Sequence, residues 1–123
     1  MRYVFMCSVI LFFNRCYQIE RNCNDFKTGT FESSITIDGV QYTSRFTRTS
    51  DLQVEDFNGV IDSTSVRWIN DCEMVFKTLN PKNRAEQKDI HLKILTTSQQ
   101  GYKFEYGYVG DTNKQKGVAK RLN

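Results

Sequence analysis

From residue 28 onward, apolar side chains recur at every second position in short runs, and polar pairs that favour turns separate the runs. Strand side chains alternate between two faces, so the pattern predicts a series of half-buried β-strands. Thr28 to Ile37 sets Phe31, Ile35 and Ile37 on one face, and Val40 to Thr49 sets Val40, Tyr42 and Phe46 against Gln41, Thr43, Arg45 and Thr47. Asp38-Gly39 between them is a hairpin signal, because both central positions of a type I′ turn need positive φ. Leu52 to Phe57 then predicts a short, edge-like strand, Asn58-Gly59 a second tight turn, and Val60 to Thr64 a segment leading onward.

The stretch Ser65 to Leu79 holds the only Trp of the chain and predicts a central hairpin. Val66 and Trp68 share one face of its first arm, Cys72, Met74 and Phe76 one face of its second, and Asn70-Asp71 makes the reversal. Asn80 to Asp89 breaks the rhythm: it is charged and, beyond Pro81, has only Ala85 as an apolar residue. A short helix capped by Asn80 with Pro81 in its first turn and a solvated loop both suit it.

Alternation resumes at Ile90 to Thr97, where Ile90, Leu92 and Ile94 oppose His91 and Lys93, so His91 is expected to face outward as an ordinary surface residue. Tyr102 to Val109 is the cleanest amphipathic run, with Tyr102, Phe104, Tyr106 and Tyr108 on one face. That ladder suits either a plain core or the wall of a ligand cavity. Lys114 to Leu122 predicts a last, basic strand on a solvated edge, where lysines discourage edge-to-edge pairing.

About eight strands in sequential hairpins, without a long helical pattern, indicate an all-β antiparallel meander. Closure into a small up-and-down barrel and folding into a two-sheet sandwich both protect its edges; the barrel needs no long crossover and is the expectation here. Nine Phe, six Tyr and one Trp give such a thin fold much buried area per residue, although only 39% of the 123 residues are hydrophobic.

Residues 3–13 form an unbroken apolar run after Arg2, too short for the roughly 20 residues that span a bilayer and suited to an export signal. A buried first strand is the other reading. The expected organisation is an export signal over 1–15, an N-terminal arm over 16–27 and one β domain over 28–123. Without Arg2 and Arg15 the chain has 15 Lys+Arg against 14 Asp+Glu, a net charge of +1 in place of +3, which is no footprint for nucleic acid. Export would also place Cys7 in the removed segment and leave Cys23 and Cys72 to form a disulfide across about 50 residues, worth roughly 3 to 4 kcal/mol. No cofactor is expected: phosphate loops, HExxH, GxSxG and CxxC are all absent, and Glu55-Asp56 or Asp71 with Glu73 would make at most a weak calcium site. No nucleophile or acid/base with an orienting partner is visible, so no enzyme is expected.

Three resemblances add to this reading. Cys16, straight after the apolar run, resembles the lipid-attachment cysteine of bacterial lipoproteins, although Asn14 and Arg15 stand where those signals prefer small residues. With that leader, Cys23-x-x-Phe26-Lys27-x-Gly29-x-Phe31 and Arg67-Trp68-x-Asn70-x-Cys72-Glu73 resemble a group of small exported proteins of Bacteroidetes-type bacteria, some of them labelled DNA topoisomerase IV. The chain has neither the length nor the motifs of a topoisomerase subunit. Gly29-x-Phe31 also resembles the Gly-x-Trp of lipocalin-like barrels. Together these imply a monomeric periplasmic or outer-membrane-anchored lipoprotein. Its partner would be a small apolar ligand, held by Trp68, Tyr102, Phe104, Tyr106 and Tyr108, or another envelope protein met by a filled-core interaction module.

Overall fold

A computed structural model describes residues 21–122; the leader over 1–15, with Cys7, and the lipidation candidate Cys16 lie outside them. Eight strands follow a 3-10 turn over Cys23–Phe26: β1 (Gly29–Ile37), β2 (Val40–Arg48), β3 (Leu52–Phe57), β4 (Val60–Asn70), β5 (Glu73–Thr78), β6 (Ile90–Thr97), β7 (Gly101–Tyr108) and β8 (Gln115–Arg121). Each pairs antiparallel with the next, and β8 returns to pair with β1, which closes the barrel and removes the sandwich alternative.

The register explains the alternation. Phe31 faces Phe46 across β1 and β2, Val66 faces Phe76, Met74 faces Leu92, and Ile94 faces Phe104, so one parity of every strand fills the interior. Gly117 serves this packing. A Cβ there would stand 2.5 Å from Ile35 Cγ2 and 2.6 Å from Phe104 Cζ, so the glycine makes room for the Phe104 ring opposite it. At the two hairpin dipeptides, Asp38 and Asn58 have φ of 50° and Gly39 and Gly59 have φ of 79° and 85°, as an I′ turn requires.

Three expectations are corrected. Val60 to Thr64 and Ser65 to Ile69 are a single strand, β4, whose pairing with β5 shifts register between Trp68 and Asn70. The reversal falls at Asp71-Cys72, where Asn70 Oδ1 accepts the Cys72 amide at 2.9 Å. Closure leaves neither β3 nor β8 as an edge, since β3 pairs with both β2 and β4, and β8 with both β7 and β1. Of the two readings of the 79–89 connection the loop holds, with turns but no helix: Asn83 Oδ1 accepts the Glu86 amide at 2.9 Å, and Glu86 Oε2 the Lys82 amide at 2.6 Å. His91 does take the outer parity, with its Nε2 3.5 Å from Glu73 Oε2.

The two ends of the barrel differ. Turns 38–39 and 58–59 and segments 79–89 and 109–114 surround one end, the mouth. The other end is floored by the 3-10 turn, whose Cys23 and Phe26 are buried. Cys23 is bonded to Cys72 with a Cα–Cα distance of 5.2 Å, which ties that turn to the β4–β5 reversal. Phe26 packs on Phe31 and Tyr102 at ring distances of 6.3 and 5.5 Å. Arg121 faces inward rather than joining a basic surface: it donates to Asp25 O, and its guanidinium carbon lies 4.7 Å from the Phe26 ring centre and 5.6 Å from that of Phe31.

Candidate ligand cavity

Between floor and mouth the interior is not filled. A cavity of about 270 Å³ remains, with two chemically distinct walls. Phe76 of β5, Ile90 and Leu92 of β6 and Phe104 of β7 form an apolar wall, joined by Ile35 and Phe46. Facing it, β1 to β4 contribute Ser33, Ser44, Gln53, Glu55 and Thr64. The polar wall arises because the inward parity of β3 carries Gln53 and Glu55 and that of β4 carries Thr64 beside Gln53.

Arg48 and Tyr102 line the bottom of the cavity. Arg48 is 1% exposed, and an unpaired buried cation is costly, so its contacts matter. Its Nε donates to Lys27 O at 3.1 Å, its Nη1 to Gln53 Oε1 at 3.1 Å, and its Nη2 to Phe26 O and to Tyr102 Oη, the latter at 3.2 Å. The guanidinium carbon also lies 5.3 Å from the ring centres of Phe31 and Phe46, 5.6 Å from Trp68 and 5.8 Å from Tyr102, where ring faces favour a cation. Among the described residues no carboxylate pairs with it. Burial pushes the Tyr102 hydroxyl above its ordinary pKa, against the opposing effect of Arg48, so it remains a neutral donor.

Glu55 is the charged group of the polar wall. Burial raises its pKa, a Ser44 hydrogen bond opposes the rise, and Asp62, directly opposite in register on β4, adds to it. Tyr106 is raised as well, by burial and then by the nearby Glu55. Ile35, Ser44 and Glu55 also line a mouth-side recess of about 240 Å³ that extends to Ile37, Tyr42 and Phe57, so Glu55 stands where the cavity meets the mouth.

Of the five aromatic residues expected to hold a ligand, Tyr102, Phe104 and Tyr106 line the cavity. Trp68 packs against the core near the floor, with Lys27 Nζ 5.0 Å from its ring centre, and does not line it. Tyr108 is 38% exposed at the mouth end of β7, with Lys88 Nζ 5.2 Å from its ring. Arg48 and Glu55 were not anticipated from the pattern. Their parity was the available signal, since Arg48 follows Phe46 by two positions and Glu55 precedes Phe57 by two. The two acidic pairs do not gather into a metal site among the described residues: Glu55 faces inward, while Asp56 Oδ1 accepts the Gly59 amide at 2.9 Å in the adjoining turn.

Fold and cavity together define a closed eight-stranded up-and-down barrel, sealed at one end, with a two-faced interior. Comparison with protein-family models, curated proteins and solved structures finds no match to this chain.

Proposed function

We propose that this chain is a non-enzymatic, lipocalin-like binding barrel of the bacterial envelope, carrying a small and largely apolar molecule. The observation that carries this reading is the cavity, with Phe76, Leu92 and Phe104 on one side and a few polar groups on the other, a composition common to small-molecule sites. Support for the lipocalin-like character comes from Gly29-x-Phe31 at the start of β1, with Phe31 fully buried beside Arg121 at the sealed end. Support for export comes from the Cys23–Cys72 bond, which suits an oxidising compartment, and from the apolar leader ahead of Cys16.

The test is a nuclear magnetic resonance titration of the isotopically labelled full chain with 2-phenylethanol, a neutral aromatic probe. Amide shifts concentrated at Leu92, Phe104 and Tyr106 are expected. Shifts scattered over the outer surface, or none at millimolar probe, overturn the reading.

A second reading, docking on an envelope partner, is favoured by the exposed apolar side chains Val40, Val60, Ile61 and Val109, which are 52 to 64% exposed beside the mouth turns. Under that reading Ile61→Lys abolishes capture of the partner from envelope extracts and leaves probe binding unchanged.

A further inference from the structure

Hydrogen-bond donors outnumber acceptors at the cavity floor. A guanidinium has five N–H groups, and four contacts account for four of those of Arg48. The fifth, on Nη1, has no acceptor among the described residues. The Tyr102 hydroxyl accepts from Arg48, and among the described residues its own hydrogen has no acceptor; Gln53 gives its carbonyl oxygen to Arg48, and its amide hydrogens likewise have none among the described residues. All three residues line the cavity. A buried positive charge with spare donors is an incomplete arrangement, and a carboxylate, which only accepts, completes it.

Glu55 presents the opposite case. It follows Gln53 by two positions on the same face of β3, roughly 6.7 Å further toward the mouth. No cation pairs with it among the described residues, and Asp62 opposite adds a like charge. Gln53, two positions before Glu55 on the same strand, accepts from Arg48, and the two charges of the cavity form no ion pair with each other. The cavity thus holds a positive floor, a negative upper wall and an apolar face across from both.

We propose that the cavity binds a small zwitterion, an amino acid with an apolar side group, whose carboxylate meets Arg48 and Tyr102, whose ammonium meets Glu55 and whose side group lies on Phe76, Leu92 and Phe104. This rests on the reading of the cavity as a binding site. A plain carboxylate would set a second negative charge beside Glu55, and a plain amine would leave the floor donors unanswered. The volume of about 270 Å³ suits a molecule of amino-acid size.

Calorimetric titration of the full chain with four probes that share one phenyl group tests the assignment: L-phenylalanine, 3-phenylpropionate, 2-phenylethylamine and 2-phenylethanol. L-Phenylalanine is expected to bind at least about tenfold tighter than each of the others, because each lacks one or both charge-assisted contacts. Glu55→Gln should weaken phenylalanine about tenfold and leave 3-phenylpropionate no weaker than before. Equal or tighter binding of 3-phenylpropionate by the unmodified chain, or unchanged phenylalanine binding in Glu55→Gln, overturns the proposal. If 2-phenylethanol binds as tightly as phenylalanine, the zwitterion assignment falls while the cavity remains a binding site; if none of the four binds, both fall.

Discussion

Arg48 Nη2 lies 3.2 Å from Tyr102 Oη, a hydrogen bond that crosses the barrel from β2 to β7 between two almost fully buried side chains. The same guanidinium holds the carbonyls of Phe26 and Lys27, so one side chain joins the barrel wall to the 3-10 turn that floors it. Arg48→Met keeps comparable bulk but leaves both carbonyls and Gln53 Oε1 without their donor. A loss of about 1 to 3 kcal/mol is expected for each buried acceptor left unsatisfied, read as a lowered urea midpoint. Arg48→Lys should recover little of it, since an ammonium cannot reach three separated acceptors in the plane that the guanidinium spans.

Glu55 makes stability fall as pH rises. Burial raises its folded pKa above the unfolded value, so the folded state binds the proton more tightly and loses stability as pH climbs through the interval between the two. The destabilisation is absent below the unfolded pKa and fully present above the folded one. Glu55→Gln removes the titration while keeping a polar side chain of the same shape. The variant should therefore exceed the parent in denaturant midpoint at neutral pH, and the difference should shrink toward zero as pH is lowered past the ordinary glutamate value of 4.5. A constant difference from acid to neutral pH would show that Glu55 is not the titrating group.

Much of the barrel was legible because a period-two pattern and a hairpin dipeptide are local signals. Asp38-Gly39 and Asn58-Gly59 form their turns where the sequence places them, and the inward positions of Phe31, Met74, Leu92 and Phe104 follow from parity. The polar wall of the cavity was not legible for the same reason: reading a strand by its apolar residues sends every charged or hydroxylated side chain outward. Val60 to Thr64 therefore reads as a segment apart from the hairpin arm that begins at Ser65, although Thr64 is an inward residue in the middle of β4. Arg48 and Glu55 continue inward parities that the apolar pattern does not mark. Strand closure is non-local too, since nothing within β8 announces that Arg121 will stand opposite Phe31.

The Cys23–Cys72 bond links positions 49 residues apart and is the covalent tie between the floor turn and the barrel. Chain entropy for a loop of that length gives about 4 kcal/mol, a large share of the 5 to 15 kcal/mol typical of a whole domain. The double variant Cys23→Ala with Cys72→Ala should lose that amount in chemical denaturation. Amide exchange should rise first at residues 23–27, because the turn is then held only by non-covalent contacts, chiefly those of Phe26 and Lys27 with Arg48 and of Phe26 with Phe31 and Tyr102. Uniform acceleration across all eight strands would mean that the bond stabilises the barrel as one unit instead.

Ser33 separates the role of the cavity from the stability of the fold. Its side chain lines the cavity from β1, opposite Ser44 and Ala119 in register, and it makes none of the floor contacts of Arg48. Ser33→Leu adds apolar volume where space already exists, so the overpacking cost of about 1 to 3 kcal/mol expected in a filled core should not arise. Burial of about three extra carbon atoms, each worth about 0.8 kcal/mol, should leave the denaturant midpoint unchanged or raised. The same atoms occupy ligand space between the polar wall and Phe104. Affinity for every phenyl probe should fall by more than about tenfold, since losing even 1.4 kcal/mol of contact has that effect. A variant that folds as well as the parent and still binds the probes unchanged would place their site outside the barrel.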